Sequence, residues 1–204
     1  MTGTRTRVLV EVALTVALAA VLHYMKLWQM PFGGSLSLEM LPILVLAMRR
    51  GVRAGVVAGV LFGFVDLLLE PYIVHWAQVA LDYPLAFGAV GLAGLVSPLW
   101  RRAVATQPVA ALVRSAAWMM PLAALVGTGG RYISHVVSGA IFFATATMGG
   151  PLANGQSAFA SASALRAVLA YSAVYNLYVP VSAFVCAVAM VALMPTLEKA
   201  VPAR

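Results

Sequence analysis

Charge and cysteine are what this sequence has least of. Only 6 of its 204 residues are Asp or Glu and 13 are Lys or Arg, so charged side chains make up 9%, against about 25% in an ordinary soluble domain. That is too little polarity to clothe a water-soluble fold, which excludes an extracellular scaffold, a disordered regulator and most soluble enzymes. The one cysteine, Cys186, leaves no disulfide within the chain and no thiolate metal cluster. His23, His75 and His135 are far apart and none sits in an H-E-x-x-H pair, so no metal site is expected. No G-x-x-x-x-G-K-[ST] loop occurs, and any ATP hydrolysis must come from partners.

What the sequence has is hydrocarbon. Ala, Val, Ile, Leu, Met, Phe, Trp, Tyr and Cys are 63% of it, and the mean hydropathy is +0.96. The whole chain, 1–204, reads as one all-α integral membrane bundle. Its net charge of +7 comes from basic residues that punctuate apolar segments, which is membrane topology rather than nucleic-acid binding.

Apolar stretches place spans at about Val8–Met25, Leu36–Met48, Val52–Leu69, Trp76–Trp100 and Val168–Met194. The stretch from Val109 to Met148 would be ~60 Å as continuous helix, twice the hydrocarbon core. It is either two spans meeting at Gly127-Thr128-Gly129-Gly130 or one span with a long lead-in. Charge favours one. With six spans, Arg5, Arg7, Arg49, Arg50, Arg53, Arg101, Arg102, Arg114, Lys199 and Arg204 all lie on or near the cytoplasmic side, while Lys26 and Arg166 fall outside. Trp76 and Trp100 read as an aromatic belt at opposite span ends. Between Lys26 and Ser37, Pro31, Phe32, Gly33 and Gly34 set a flexible point beside large rings, a composition suited to a loop that covers a cavity.

Polar groups in the spans carry the functional signal, because an unpaired carboxylate in hydrocarbon is costly. Glu39, Asp66, Glu70 and Asp82 lie within or at the margins of spans. Glu70, before Pro71, reads as a solvated surface acid, and Asp66 as a hydrogen-bonding core group. Gln78-Val79-Ala80-Leu81-Asp82-Tyr83-Pro84 joins an acid and a phenol near the outer part of span four. His135, Gly139 and Phe143, spaced four apart, share a helix face on which the glycine leaves room for a flat ligand or a close helix. Tyr171 and Asn176 are ~140° apart on an ideal helix, so one ligand meets both only at a cavity edge or where the helix frays. Aromatic rings, Asp82, His135 and Asn176 suit a planar, partly cationic solute. They do not make an ion filter, and no inverted repeat is evident. His135 with Ser157, in Gly155-Gln156-Ser157, is too common a pattern to carry acyl transfer, so an enzyme is not expected.

These stretches, in this order, resemble the thiamine-binding S component of energy-coupling factor (ECF) transporters, the ThiT family. The resemblance rests on Gly33-Gly34-Ser35-Leu36-Ser37-Leu38, Met40-Leu41-Pro42, Leu81-Asp82-Tyr83-Pro84-Leu85-Ala86-Phe87, Arg131 through Phe143, and Tyr171-Ser172-Ala173-Val174-Tyr175-Asn176. It implies six helices with both termini cytoplasmic, in the plasma membrane of a prokaryote, and a vitamin site near the outer face. It implies that Asp82 contacts the aminopyrimidine of thiamine, in a position where members often carry glutamate. Tyr83, His135, Tyr171 and Asn176 match pocket positions, with Tyr72 and Gly139 completing the wall. Phe143 stands where the family can carry tryptophan. Phe32, with Trp28 as alternate, would be the loop-one ring that closes over the solute, and Arg131 a basic position facing its hydroxyl or phosphate end. Ala13 and Ala17 form an Ala-x-x-x-Ala pair of the kind that docks the S component on its transmembrane coupling protein. That protein and two ATP-binding subunits would power transport, and this chain would hold no cofactor. The remaining alternatives are an S component for another flat vitamin or a precursor such as hydroxymethylpyrimidine, and a noncatalytic membrane scaffold.

Overall fold

The computed structural model describes residues 2–31, 33–143 and 161–200. Six helical units make up the described chain. These are α1 (Thr2–His23), α2 (Met40–Arg50), α3 (Val52–Leu69), α4 (Trp76–Thr106), α5 (Val109–Ser138, continued by a π turn over Gly139–Phe143) and α6 (Ala162–Ala200). Five of them are long and apolar enough to cross a membrane. The exception is α2, whose 11 residues span only ~16 Å as helix, half a hydrocarbon core. The expected span Leu36–Met48 is therefore a short helix preceded by a strand. Leu36 belongs to β2 (Ser35–Leu36), which pairs antiparallel with β1 (Trp28–Gln29) in the register Trp28↔Leu36 and Gln29↔Ser35. This small hairpin is the one departure from an all-α fold among the described residues.

The long fifth stretch is one helix, running unbroken through Gly127–Gly130. Span four reaches Thr106 rather than Trp100. Trp100 is also not a belt residue. It is fully buried, in a cluster with Met48, Met120 and Met190, whereas Trp76 is exposed. α6 is longer than expected and is interrupted at Asn176 and Leu177, giving the pieces Ala162–Tyr175 and Tyr178–Ala200.

Small residues set the spacing of α3 against α4, as is usual where lipid supplies no hydrophobic drive between helices. A Cβ on Gly59 would lie 2.1 Å from the Phe87 carbonyl oxygen, and one on Gly63 would lie 2.6 Å from the carbonyl of Tyr83. The two backbones touch at the point where α4 winds into a π turn over Leu81–Leu85, with Pro84 inside it. A proline ring lacks the N–H donor and displaces the carbonyl of the preceding turn, so a widened turn is the expected accommodation. This turn carries Asp82. Below it Phe87 packs edge-on against Phe62, ring centroids 4.6 Å apart, and closes the top of the apolar core. At the far end of α2, Arg50 donates to both Glu11 carboxylate oxygens (2.6 and 2.7 Å) and Arg49 to Glu198 (3.2 Å), tying α1, α2 and α6 together.

Replacing Gly59 by Ala forces α3 away from α4. We expect a loss of about 2 kcal/mol or more, read as a lower thermal unfolding midpoint of the detergent-purified chain; an unchanged midpoint would contradict the contact.

Candidate functional site

A cavity of about 340 Å³ lies where the π turn of α4, the ends of α1 and α3, the C-terminal part of α5 and the break in α6 converge under the β1–β2 hairpin. That size falls within the range of small-molecule pockets. Tyr72, Asp82, Tyr83, Arg131, His135, Gly139, Tyr171 and Asn176 all line it. Phe32 and Ser157 lie outside the described residues, and so does the side chain of Phe143. Trp28 is exposed and does not line the cavity.

Asp82 is held on both oxygens. One is 3.0 Å from His135 Nδ1; the other accepts from Gln78 Nε2 (2.7 Å) and Ser138 Oγ (2.9 Å). A carboxylate has about four acceptor positions, so roughly one remains for a ligand. Gln78 is itself fixed, accepting from the Val74 N–H at 3.2 Å and donating to the Tyr72 carbonyl at 3.1 Å. The Tyr83 hydroxyl is spent locally, donating to the Glu70 carbonyl (3.0 Å) and accepting from the Tyr72 N–H (2.8 Å). Its ring lines the cavity, but its polar end braces the α3–α4 connection.

His135 is polarised from behind. Arg131 Nε donates to His135 Nε2 at 3.2 Å. Arg131 has no acceptor, so that nitrogen must be the unprotonated one and Nδ1 carries the proton given to Asp82. Both ring nitrogens are used, which leaves His135 its faces for contact. Arg131 also donates to Glu39 at 3.0 Å, and its guanidinium lies 4.0 Å over the Phe87 ring. It is buried, and these partners engage it from several sides.

The opposite part of the cavity is a charge cluster that the sequence reading did not assemble. His23, at the end of α1, places Nδ1 2.8 Å from Asp66 and 3.1 Å from Glu39, with Nε2 3.5 Å from Glu70. Asp66 is thus the hydrogen-bonded group expected of it, and Glu39 is the buried hub between His23 and Arg131. Ligand atoms of His23, Glu39 and Asp66 lie within 4.8 Å of one another, the set among the described residues that could take a metal ion. Here the imidazole between the two carboxylates, with Arg131 behind, already supplies a compensating partner. Glu70 is not a free surface acid: it pairs with Lys26 and accepts from Gln29 Nε2 at 2.5 Å. No spacing rule could have joined His23 to Asp66; the available signal was that every acid near a span needs a partner.

Those Glu70 contacts hold the hairpin over the cavity. Gly33 and Gly34, both at φ +88°, make the turn, a conformation that glycine adopts without a Cβ penalty. The Tyr175 hydroxyl donates to the Gly33 carbonyl at 3.1 Å. A Cβ on Gly34 would come within 2.5 Å of Tyr178, so only glycine lets the hairpin settle there. Tyr178 was not expected in the site. On the other wall, α6 ends its first piece at Tyr175, and Asn176 turns out of helical geometry (φ −83°, ψ 10°). That break is the condition under which Tyr171 and Asn176 share a cavity. The Asn176 amide nitrogen donates to the Ser172 carbonyl at 2.8 Å, so its oxygen is left as an acceptor. Gly139 serves close helix packing, since a Cβ there would meet Ser172 Oγ at 2.2 Å.

Comparison with known proteins adds the following. The family described as Thiamine transporter protein (Thia_YuaJ) matches residues 9–201. Thiamine transporter ThiT of Bacillus subtilis is 33% identical over 193 residues, covering 92% of this chain and 90% of the relative. ThiT of Lacticaseibacillus paracasei is 32% identical over 141 residues, covering 67% and 68%. A solved structure of ThiT from Listeria monocytogenes superposes with a TM-score of 0.69 at 27% identity, covering 97% of this chain and 96% of that one.

The buried hub has a stability consequence. Glu39→Gln leaves Arg131 and His23 without their shared carboxylate, and we expect a cost of about 3 kcal/mol, measured as a lower midpoint in thermal unfolding without ligand. A midpoint equal to wild type would show that the pairing is not stabilising.

Proposed function

Because this chain belongs to the thiamine transporter protein family, we propose that it is the S component of an ECF transporter, the multi-pass plasma-membrane subunit of a prokaryote that binds thiamine for uptake. It acts as a single substrate-binding domain and is not an enzyme. The observation that carries this reading is the cavity itself: ring-lined, roofed by a hairpin, and richer in acid than in base. Glu39, Asp66, Glu70 and Asp82 line it, and the guanidinium of Arg131 is already engaged. Such a hollow favours a flat cation, which thiamine is.

Asp82 and the Asn176 oxygen are acceptors for the exocyclic amine of the pyrimidine. The rings of Tyr72, Tyr171 and His135 stack against the two heterocycles. Each such contact is worth about 0.5–2 kcal/mol. Loop one closes over the solute, held by Glu70 and Tyr175. Arg131 acts by orienting His135 and Glu39.

Transport needs more than capture. A transmembrane coupling protein and two ATP-binding subunits supply the powered step, with both termini of this chain on the cytoplasmic side. Ala13 and Ala17 are exposed on α1, beside the exposed Leu14 and Leu18, which supports a shallow face on which the coupling protein packs closely.

Equilibrium binding of thiamine, its phosphates and hydroxymethylpyrimidine to the purified chain tests the reading; tightest binding of hydroxymethylpyrimidine would reassign the substrate. Asp82→Asn is expected to weaken thiamine binding about 10- to 100-fold, and undiminished affinity would remove Asp82 from recognition. Leu at both Ala13 and Ala17 is expected to reduce uptake and copurification with the coupling protein while leaving thiamine affinity within about twofold. Normal uptake by that variant would move the docking face elsewhere.

A further inference from the structure

Most side-chain donors that line the cavity are engaged; among the described residues the hydroxyls of Ser35, Tyr171 and Tyr178 have no hydrogen-bond partner. Arg131 gives two of its N–H groups to Glu39 and His135, Gln78 gives both amide hydrogens to Tyr72 and Asp82, Ser138 gives its hydroxyl to Asp82 and Ser172 gives its own to the Val136 carbonyl. The hydroxyls of Tyr83 and Tyr175 are spent on the carbonyls of Glu70 and Gly33. Free acceptors remain at Asp82 and Asn176. A pyrimidine carries ring nitrogens as well as an amine, and each ring nitrogen that loses water on entry needs a donor.

Tyr178 is placed to be that donor. It lines the cavity, and its ring centroid is 6.2 Å from that of His135. Its hydroxyl end lies against Gly34 under the hairpin, and it has no hydrogen-bond partner among the described residues. A phenol hydroxyl has one hydrogen to donate. Resting on the assignment of thiamine as ligand, we infer that Tyr178 is a ligand-binding residue whose hydroxyl donates to a ring nitrogen of the bound pyrimidine. The same ring is the seat on which the Gly34 turn closes, so the group that reads the pyrimidine lies directly beneath the hairpin.

The test pairs a protein change with a ligand change. Tyr178→Phe keeps the ring and removes the hydroxyl; the 1′-deaza and 3′-deaza analogues of thiamine each replace one ring nitrogen by C–H. In equilibrium binding to the purified chain, Tyr178→Phe is expected to weaken thiamine about 5- to 50-fold. One of the two analogues should bind wild type correspondingly worse and show no further loss with Tyr178→Phe, as coupled partners do in a double-mutant cycle. Unchanged thiamine affinity in Tyr178→Phe, or losses that multiply for both analogues, would overturn the inference. So would wild type binding both analogues as tightly as thiamine, a result that does not depend on the variant folding. Wild type failing to bind thiamine at all would instead overturn the substrate assignment.

Discussion

A guanidinium inside an apolar bundle has to be answered on every side, and Arg131 is. Glu39 meets it at 3.0 Å, His135 accepts from it at 3.2 Å, and its central carbon lies 4.0 Å from the centroid of the Phe87 ring. Removing Glu39 leaves a buried charge without its counter-ion, which costs far more than the pair gains over apolar packing. Two chains of polar contact run from this point. One passes through His135 to Asp82 and fixes which tautomer faces the carboxylate. The other passes through Glu39 to His23 and Asp66 and joins α1 to α3. The cavity is the space between these chains.

Its shape depends on how closely the helices approach. Glycines on α3 let the α4 backbone come near enough that the π turn at Leu81–Leu85 is clamped from behind. Clamping a widened turn fixes the direction of Asp82 more firmly than a side-chain contact alone, because the backbone that bears it cannot unwind into the neighbouring helix. Gln78 and Ser138 complete the restraint. A carboxylate so held meets a ligand with little ordering left to do, the condition under which contacts convert most fully into affinity.

Much of the wall was legible beforehand. Asp82, His135 and Asn176 could be picked out because polar residues in lipid-spanning segments demand an interior or a cavity, and the ~140° between Tyr171 and Asn176 on an ideal helix pointed to the break that α6 shows. The acidic floor was not legible. Glu70 read as a surface acid because nothing local shows that Lys26 and Gln29 return to it through the hairpin. Trp100 read as an interfacial ring because it precedes Arg101, although the packing of α4 turns it inward. Tyr178 was hidden by the same break that exposed Asn176, since helical periodicity carries no information across an irregular turn.

Composition and the order of apolar stretches along the sequence determined that the chain is a membrane-embedded helical bundle and roughly where its spans run, because transfer of apolar side chains into hydrocarbon is additive along a segment and needs no knowledge of neighbours. The tertiary structure decided which polar atoms remain free. Hydrogen bonds are directional and saturable, and the partners here are far apart in the chain: His23 with Asp66, Arg131 with Glu39, His135 with Asp82. A residue type announces the donors and acceptors it carries. Only the fold says which of them are already occupied and which still face a ligand.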